Sequence, residues 1–439
     1  MAASVSALDG FGNPVDWFAV VKLPQDAIDC DCPPPPSCPS DASDSRDASG
    51  GGQYWDDKRA SGLCYLYADN MNPEFTWFRD ASFGCLSEEN NPVTQTLNQR
   101  SRNDYAIWND QMSKSAIPGT YNNCNSPRAH SKGAVIVGKS GEGVILNAST
   151  PDFPDPDSNV LGCSEDDNTE VTQHFFAASL PNDAMDKWKE AMVNAELCQV
   201  NDVDDGGVDL NPDIDASKTN TSVDVQTTNG EPLTIIVKGA KQDGVPWDLV
   251  ATETNADLDV LSWYANPEYY PVCKNQLAPC LTGWQTDWQE SGGIDKIASH
   301  SINVVTSLDF GKYCEADIST CGTEKQFCCG LGGSAKYKNH AKMAAATVSD
   351  ESENGDNSVV VFGSMNMQGN PDTTTDTTTP CSSSQMGRGG DFYTLVNKDL
   401  HESMQDLFYK TCSCQDPWQG EVNSTSGGGP SSCDCCATK

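Results

Sequence analysis

The sequence predicts a mixed α/β protein built from two related halves, and three observations support this fold class. A His-x-Lys motif occurs twice, as His130-Ser131-Lys132 and His340-Ala341-Lys342. Each copy precedes an apolar run, a polar turn and a second apolar run, which indicates a strand, a turn and a returning strand. Elsewhere, short apolar runs typical of strands occur together with segments of helical periodicity. We interpret the motif as a weak internal repeat that forms one site from two halves.

The strands and helices follow from the spacing of apolar residues. Helical spacing predicts one helix over residues 182–196 and a terminal helix over residues 392–408. The Asp-rich span 201–230 has little apolar content and predicts a solvated loop between the halves. The predicted strands are residues 17–21, 62–67, 105–108, 134–137, 144–146, 175–177, 233–237, 260–264 and 359–362.

These elements divide the chain into an N-terminal half over residues 1–200 and a C-terminal half over residues 231–411. Within the first half, residues 29–53 form an exposed insertion rich in Cys and Pro, because their composition cannot form a core. Residues 412–439 form a Cys-rich tail that has no core-forming pattern.

The composition restricts the functions that the chain can have. With 27 Lys and Arg against 63 Asp and Glu, the formal net charge is −36. Such a surface repels polyanions, so a protein that acts on nucleic acid would need a local basic cleft. No segment approaches 18 continuous apolar residues, and we therefore expect no membrane-spanning helix and no membrane partner.

The cysteines and glycosylation sequons indicate an oxidising compartment. Twenty cysteines in the chain predict several disulfides. A zinc site would need ordered C-x2-C pairs with histidine partners, and the sequence has no such pattern. N-glycosylation sequons occur at Asn147, Asn220 and Asn423. We expect a secreted or lysosomal/vesicular protein.

The His-x-Lys spacing suits phosphate chemistry. Alternate side chains of a strand share a face, so the histidine and the lysine of each motif lie together. The lysine can neutralise a phosphate oxygen while the histidine attacks or transfers a proton. With five histidines in the chain, chance would give about 0.2 such motifs, and two are present. The interpretation as solvated surface dipeptides is therefore disfavoured.

These motifs resemble those of the phospholipase D superfamily, whose members pair two H-x-K motifs. The second motif is followed by G-S-x-N, which is here Gly363-Ser364-Met365-Asn366. Within the superfamily, the sequence is similar to the deoxyribonuclease II family over most of residues 9–410. The further stretches that carry this resemblance are residues 13–18, 22–24, 96–97, 106–111, 128–133 and 151–154.

The resemblance implies two phospholipase D-like halves, each a β-sheet flanked by helices, that form a pseudo-dimer. It implies a metal-independent acid endonuclease that hydrolyses DNA through a phosphohistidine, leaves 3′-phosphate ends and uses no cofactor. One histidine would attack phosphorus and the other would protonate the leaving oxygen, with the two roles left unassigned. Because histidine titrates near pH 6.5, the pair can share one proton at mildly acidic pH. The candidate catalytic residues are His130, Lys132, His340, Lys342 and Asn366.

Three positions depart from the family pattern. Ala148 stands where the family has a histidine, and Asp152 stands where it has an asparagine. Thr347 stands where phospholipases have an aspartate, and a glycan at Asn147 would obstruct the proposed site. These departures, the net charge and the Cys-rich ends support an alternative function. In that alternative, the chain is a secreted, disulfide-rich structural or self-assembling homo-oligomer with weak or lost catalysis.

Overall fold

The fold is a mixed α/β arrangement of two large β-sheets and few helices, which confirms the predicted fold class. The predicted insertion lies outside the described residues except for residues 32–33, and the tail lies outside them beyond residue 412. The computed structural model describes residues 4–24, 32–33, 62–112, 124, 126–156, 158–162, 171–201, 207–210, 218–242, 245–263, 299–310, 339–348, 358–367, 385 and 387–412.

The first large sheet follows a short hairpin of Ala7–Leu8 (β1) and Pro14–Val15 (β2). Its seven strands are Trp17–Lys22 (β3), Tyr65–Asp69 (β4), Thr76–Trp77 (β5), Asp104–Asn109 (β6), Lys132–Val137 (β7), Gly143–Ala148 (β8) and Gln173–Leu180 (β9). They are arranged in the order β5-β4-β3-β9-β8-β7-β6, and all neighbouring pairs are antiparallel. The apolar strands β3, β7, β8 and β9 are buried on both faces, as continuous apolar runs predict.

The second large sheet has eight strands. They are Thr221–Gln226 (β10), Pro232–Lys238 (β11), Ala256–Leu261 (β12), Ile302–Leu308 (β13), Met343–Val348 (β14), Ser358–Gly363 (β15), Gly390–Val396 (β16) and Phe408–Cys412 (β17). Their order is β10-β11-β16-β15-β14-β12-β13-β17. Among these pairs β12 and β13 run parallel, and the other neighbours are antiparallel.

The helices of the described residues are Pro92–Leu97 (α1), Asn182–Met192 (α2), Pro246–Thr254 (α3) and Lys398–Leu407 (α4). A short 3-10 helix, Asn98–Arg102, continues α1. The side chain of Asn397 accepts a hydrogen bond from the Leu400 amide and so caps α4. Helix α2 confirms the predicted helical periodicity, because it buries Met185, Trp188 and Met192. None of the described helices is long and apolar enough to cross a membrane.

The two sheets share an order of strands. The series β4-β3-β9-β8-β7-β6 of the first sheet has the same antiparallel order as β10-β11-β16-β15-β14-β12 of the second. Helix α2 follows β9, just as α4 follows β16. The pseudo-dimer of phospholipase D-like halves stays a prediction, and this shared order supports it.

Two predictions about single elements are wrong. The terminal helix predicted over residues 392–408 begins only at Lys398, because β16 occupies residues 390–396 and is buried on both faces. In β16 the apolar residues Phe392 and Leu395 are three positions apart, so the strand also satisfies helical spacing. The loop predicted over residues 201–230 contains β10, whose residues are mostly exposed because it lies at the sheet edge. The second sheet therefore begins before the predicted boundary at residue 231.

One hydrophobic core extends over both sheets. The ring of Phe176 on β9 stacks on that of Phe362 on β15, with 4.7 Å between centroids and 6° between planes. Tyr393 on β16 lies 6.0 Å from the same Phe176 ring. The sheets therefore pack against each other through β9, β15 and β16, beside the strand ends that carry the His-x-Lys motifs.

Candidate active site

Strand pairing establishes which residues correspond between the halves. The lysine of each motif lies opposite the last residue of the returning strand, which is Ala148 in the first half and Gly363 in the second. That residue in turn lies opposite a phenylalanine, Phe175 or Phe392. Counting along the strands then gives the correspondence. The corresponding pairs are Lys132 with Lys342, Thr172 with Gly389, His174 with Asp391, and Asp110 with Trp263.

The first motif is anchored to the second half. The backbone N–H of His130 donates to the carbonyl of Gly389 at 2.9 Å. Its ring Nδ1 lies 2.8 Å from the carbonyl oxygen of Ser364. Because a carbonyl oxygen only accepts, Nδ1 carries the proton and Nε2 presents a lone pair. The structure therefore fixes both the orientation and the tautomer of His130.

The second motif is anchored to the first half in the corresponding way. The backbone N–H of His340 donates to the carbonyl of Thr172 at 2.8 Å, where His130 uses Gly389. The charge of each lysine also affects the histidine of the other half, because Lys342 lowers the pKa of His130 and Lys132 lowers that of His340. All four His-x-Lys residues thus lie within one electrostatic environment.

The two lysines have different partners. The Nζ of Lys132 lies 2.6 Å from Oδ1 of Asp110, and the pair is fully buried. The other oxygen of Asp110 lies 2.7 Å from the guanidinium of Arg388. By contrast, Nζ of Lys342 donates to the carbonyl of His340 at 2.5 Å, and within the described residues no carboxylate forms an ion pair with it. The site thus has a surplus of positive charge at Lys342.

Burial decides the protonation of the site. Desolvation, reinforced by the lysines, lowers the pKa of His130 well below its ordinary value and lowers that of His340 to about 3. Desolvation and the charge of Lys132 also lower the pKa of Lys342 well below its ordinary value. Burial opposes ionisation of Asp110, but the charges of Lys132 and Arg388 and the hydrogen bond from Lys132 outweigh it and lower the pKa of that carboxyl. The two histidines are therefore neutral in the free site.

This result corrects one expectation from the sequence. A histidine pair near its ordinary pKa would share a proton at mildly acidic pH, whereas burial beside two ammonium groups disfavours that proton. A proton on His340 requires an anion to offset the charges of Lys132 and Lys342.

A buried chain of hydrogen bonds joins the two motifs beneath the site. The backbone N–H of Lys342 donates to Nδ1 of His174 at 3.1 Å, so Nε2 of His174 carries the proton and donates to Oδ1 of Asn147 at 2.9 Å. The amide of Asn147 donates to Asp391 at 3.2 Å. Asp391 also accepts from the hydroxyl of Ser131 at 2.6 Å. Ser131 of the first motif is therefore linked to the backbone of Lys342 in the second.

Asn366 follows β15 and is buried, with 7% of its surface exposed. Its backbone N–H donates to the side chain of Gln385 at 3.2 Å. Its Oδ1 has no hydrogen-bond partner among the described residues. A buried amide oxygen without a partner is costly, which is typical of a group that contacts a ligand.

Arg388 is a site residue to which the sequence assigned no role. Its Nε donates to the carbonyl of Arg128 at 2.8 Å, and its Nη2 donates to the carbonyls of Cys124 and Ala129 at 3.0 and 2.9 Å. It thereby fixes the segment that leads into His130. A disulfide from Cys124 to Cys198 holds the same segment, and a second disulfide joins Cys32 and Cys85.

The positions that depart from the family pattern are all buried or paired within strands. Ala148 is fully buried opposite Lys132, so no side chain replaces the family histidine there. Asp152 is buried, and its backbone N–H donates to the carbonyl of Gln111 at 3.3 Å. Asn147 is fully buried in the polar chain. The folded structure therefore leaves no room for a glycan at the Asn147 sequon.

The described residues contain no group of three or more His, Cys, Asp and Glu side chains that could hold a metal ion.

Comparison with known families gives one result. The family model of deoxyribonuclease II matches residues 51–326, which is more than half of the 439 residues. The matched span includes the first His-x-Lys motif and ends before His340. Among curated proteins, none matches the chain.

Proposed function

The chain belongs to the deoxyribonuclease II family, which indicates a DNA-hydrolysing enzyme, and we propose that it is an acid endonuclease that needs no metal. The observation that carries this proposal is the meeting of both His-x-Lys motifs at one buried site, where Lys342 lacks a carboxylate partner among the described residues. A buried ammonium of this kind needs an anion, and a phosphodiester supplies one.

The phosphate is bound by cations that the protein itself supplies. Lys342 and Lys132 neutralise the non-bridging oxygens, and the amide of Asn366 donates to one of them. The ion pair with Asp110 offsets part of the positive charge of Lys132. Lys342 therefore contributes more than Lys132 to the attraction of the phosphate. These residues form the local basic cleft that a chain with a net charge of −36 requires to bind DNA.

His130 attacks phosphorus and His340 transfers the proton. Nε2 of His130 has a lone pair, and the Ser364 carbonyl and a lowered pKa keep it available. Attack forms an N–P bond and breaks the bond to the 5′ oxygen, which takes a proton from Nε2 or Nδ1 of protonated His340. His340 is the more exposed of the two histidines, as suits a group that exchanges protons with solvent.

Water completes the reaction. Neutral His340 removes a proton from a water molecule as that water attacks the phosphohistidine. The N–P bond breaks, the electron pair returns to Nε2 of His130, and the phosphate remains on the 3′ oxygen. The products are a 3′-phosphate end and a 5′-hydroxyl end.

The proposed pH dependence follows from the lowered pKa of His340. In the free site that pKa is about 3. The negative phosphodiester offsets the lysines and raises it, so the protonated fraction of the complex grows as pH falls. Cleavage is therefore fastest at acidic pH.

The proposed compartment is inferred from the family and from the disulfides. Cys32–Cys85 and Cys124–Cys198 agree with an oxidising environment, and the family is typically lysosomal or secreted. We propose a secreted or lysosomal location.

Plasmid nicking across pH, with EDTA present, tests this function. The wild type should nick best at acidic pH and leave ends that a polymerase extends only after phosphatase treatment. The variants His130→Ala and His340→Ala should each lose about a thousandfold or more of the rate, because each removes a separate chemical role. The exposed Lys398→Ala variant is the control and should match the wild type. Strict dependence on magnesium, or full activity of either histidine variant, would contradict the mechanism.

A further inference from the structure

The two halves of the site differ most at one pair of corresponding positions. In the first half, the residue after β6 is Asp110, a buried carboxylate that pairs with Lys132 and Arg388. In the second half, the residue two places after β12 is Trp263, which corresponds to Asp110 by strand register. A pseudo-symmetric site thus has a charged group on one side and an indole on the other.

Trp263 lies against the proposed proton donor. Its ring centroid is 5.9 Å from that of His340, with 61° between the planes. At this angle the edge of one ring meets the face of the other, so His340 covers at most one face of the indole. Its carbonyl accepts the backbone N–H of Met367 at 3.2 Å, so the residue is fixed beside Asn366.

Exposure separates Trp263 from the residues around it. Leu258, Val260, Leu261 and Ser262 are fully buried, whereas Trp263 keeps part of its surface exposed. Trp17, Trp108, Trp188 and Trp247 are fully buried, and an indole that served only as core packing would be expected to resemble them. Partial exposure next to two site residues instead suits contact with a ligand.

We propose that Trp263 stacks against the nucleobase on the leaving side of the scissile phosphate. This inference rests on the proposed function, in which His340 protonates the departing 5′ oxygen. The nucleoside that carries this oxygen must lie next to His340, and among the described residues Trp263 is the aromatic ring that contacts His340. Base stacking tolerates any sequence, because every base has a π-face. Trp263 therefore strengthens binding of the leaving nucleoside without selecting a particular base.

Single-stranded oligonucleotides with one abasic residue test this subsite. The phosphate on the 5′ side of the abasic residue has no base on its leaving side, and the phosphate on its 3′ side keeps one. For the wild type, cleavage at the 5′-side phosphate should fall about tenfold relative to the intact oligonucleotide. Cleavage at the 3′-side phosphate should change little.

The variants separate stacking from folding. Trp263→Ala should cleave the intact oligonucleotide about tenfold more slowly and should lose the discrimination against the abasic substrate. Trp263→Phe keeps an aromatic face and should retain that discrimination, and thermal melting of both variants checks that they fold. Discrimination that persists in Trp263→Ala, or that falls on the 3′-side phosphate, overturns the inference while the nuclease function stands. A wild type that cleaves no oligonucleotide overturns both.

Discussion

Lys342, a proposed phosphate ligand, is a residue whose burial costs stability. Its ammonium is buried, with 3% of its surface exposed, and desolvation lowers its pKa. Between that lowered pKa and the ordinary value, the unfolded chain binds more protons than the folded chain, so stability rises with pH across this window. At neutral pH, which lies below the ordinary pKa of lysine, the burial of Lys342 therefore destabilises the free protein.

We expect Lys342→Met to stabilise the ligand-free protein by about 1 kcal/mol or more, because it removes a buried charge beside Lys132. The same variant should lose the stabilisation that inorganic phosphate gives the wild type. Thermal melting with and without phosphate at pH 5 and pH 8 measures both effects. The wild type should gain more from phosphate at pH 5, where an anion allows His340 to hold a proton. Lys398→Met, at an exposed site, is the control, and equal phosphate stabilisation of Lys342→Met would contradict the assigned role.

At the residue scale, the sequence identified the motif but missed its partners. The His-x-Lys spacing locates two histidines and two lysines, because strand alternation is a local property. The pairing of Asp110 with Arg388, which are 278 residues apart, depends on how the two halves pack. His174 and Asp391 likewise contact the opposite half. Asp110 lies two residues after the predicted strand 105–108, and that placement was the available signal for it.

At the element scale, β7 carries the first lysine and depends on a residue without a side chain. A Cβ on Gly133 would lie 2.2 Å from the carbonyl oxygen of Leu146 and 2.4 Å from the indole of Trp108. That indole donates to the hydroxyl of Ser131 at 2.8 Å. The close approach of β6, β7 and β8 at Gly133 therefore positions Ser131, the central residue of the first motif.

We expect Gly133→Ala to destabilise the fold by about 1–3 kcal/mol through overpacking of Trp108 and β8. Gly387→Ala is the matched control, because its Cβ would meet only the Ser126 hydroxyl at 3.5 Å and should change stability by less than about 0.5 kcal/mol. Chemical denaturation of both variants measures the difference. Equal stabilities would show that the β6–β7–β8 packing relaxes at little cost.

Element prediction succeeded where periodicity was unambiguous and failed where two periods fit. Helix α2 has one apolar stripe and was predicted correctly over most of its length. Strand β16 is buried on both faces, so its apolar residues satisfy a helical spacing as well as an extended one. The decisive signal was Asn397, an N-cap that places the start of α4 after the strand.

At the scale of the whole molecule, the shared strand order supports the proposal that two sheets contribute to one site. Each motif donates its histidine N–H to the other half, at Gly389 and Thr172. The sequence predicted a common site from repetition alone. It could not predict that the corresponding positions Asp110 and Trp263 would make the two sides chemically different, because that comparison requires the strand register.

The net charge of −36 sets the last prediction, which distinguishes an enzyme from a structural protein. Salt weakens the contacts of Lys132 and Lys342 with phosphate. Salt also screens the long-range repulsion between DNA and the acidic surface, with a Debye length of about 10 Å at about 0.1 M. The two effects oppose each other, so DNA binding by the non-cleaving His340→Ala variant should depend weakly on salt at pH 5, or pass through a maximum. Binding should be weaker at pH 8, because a fraction of the carboxylates is protonated at pH 5 and all are charged at pH 8. A self-assembling protein would bind no DNA at either pH and would form multimers that a reductant disperses. DNA retention and multimer size, measured on the same sample, decide between the enzyme and the structural protein. Reductant-sensitive multimers without DNA binding at any salt concentration would overturn the nuclease function.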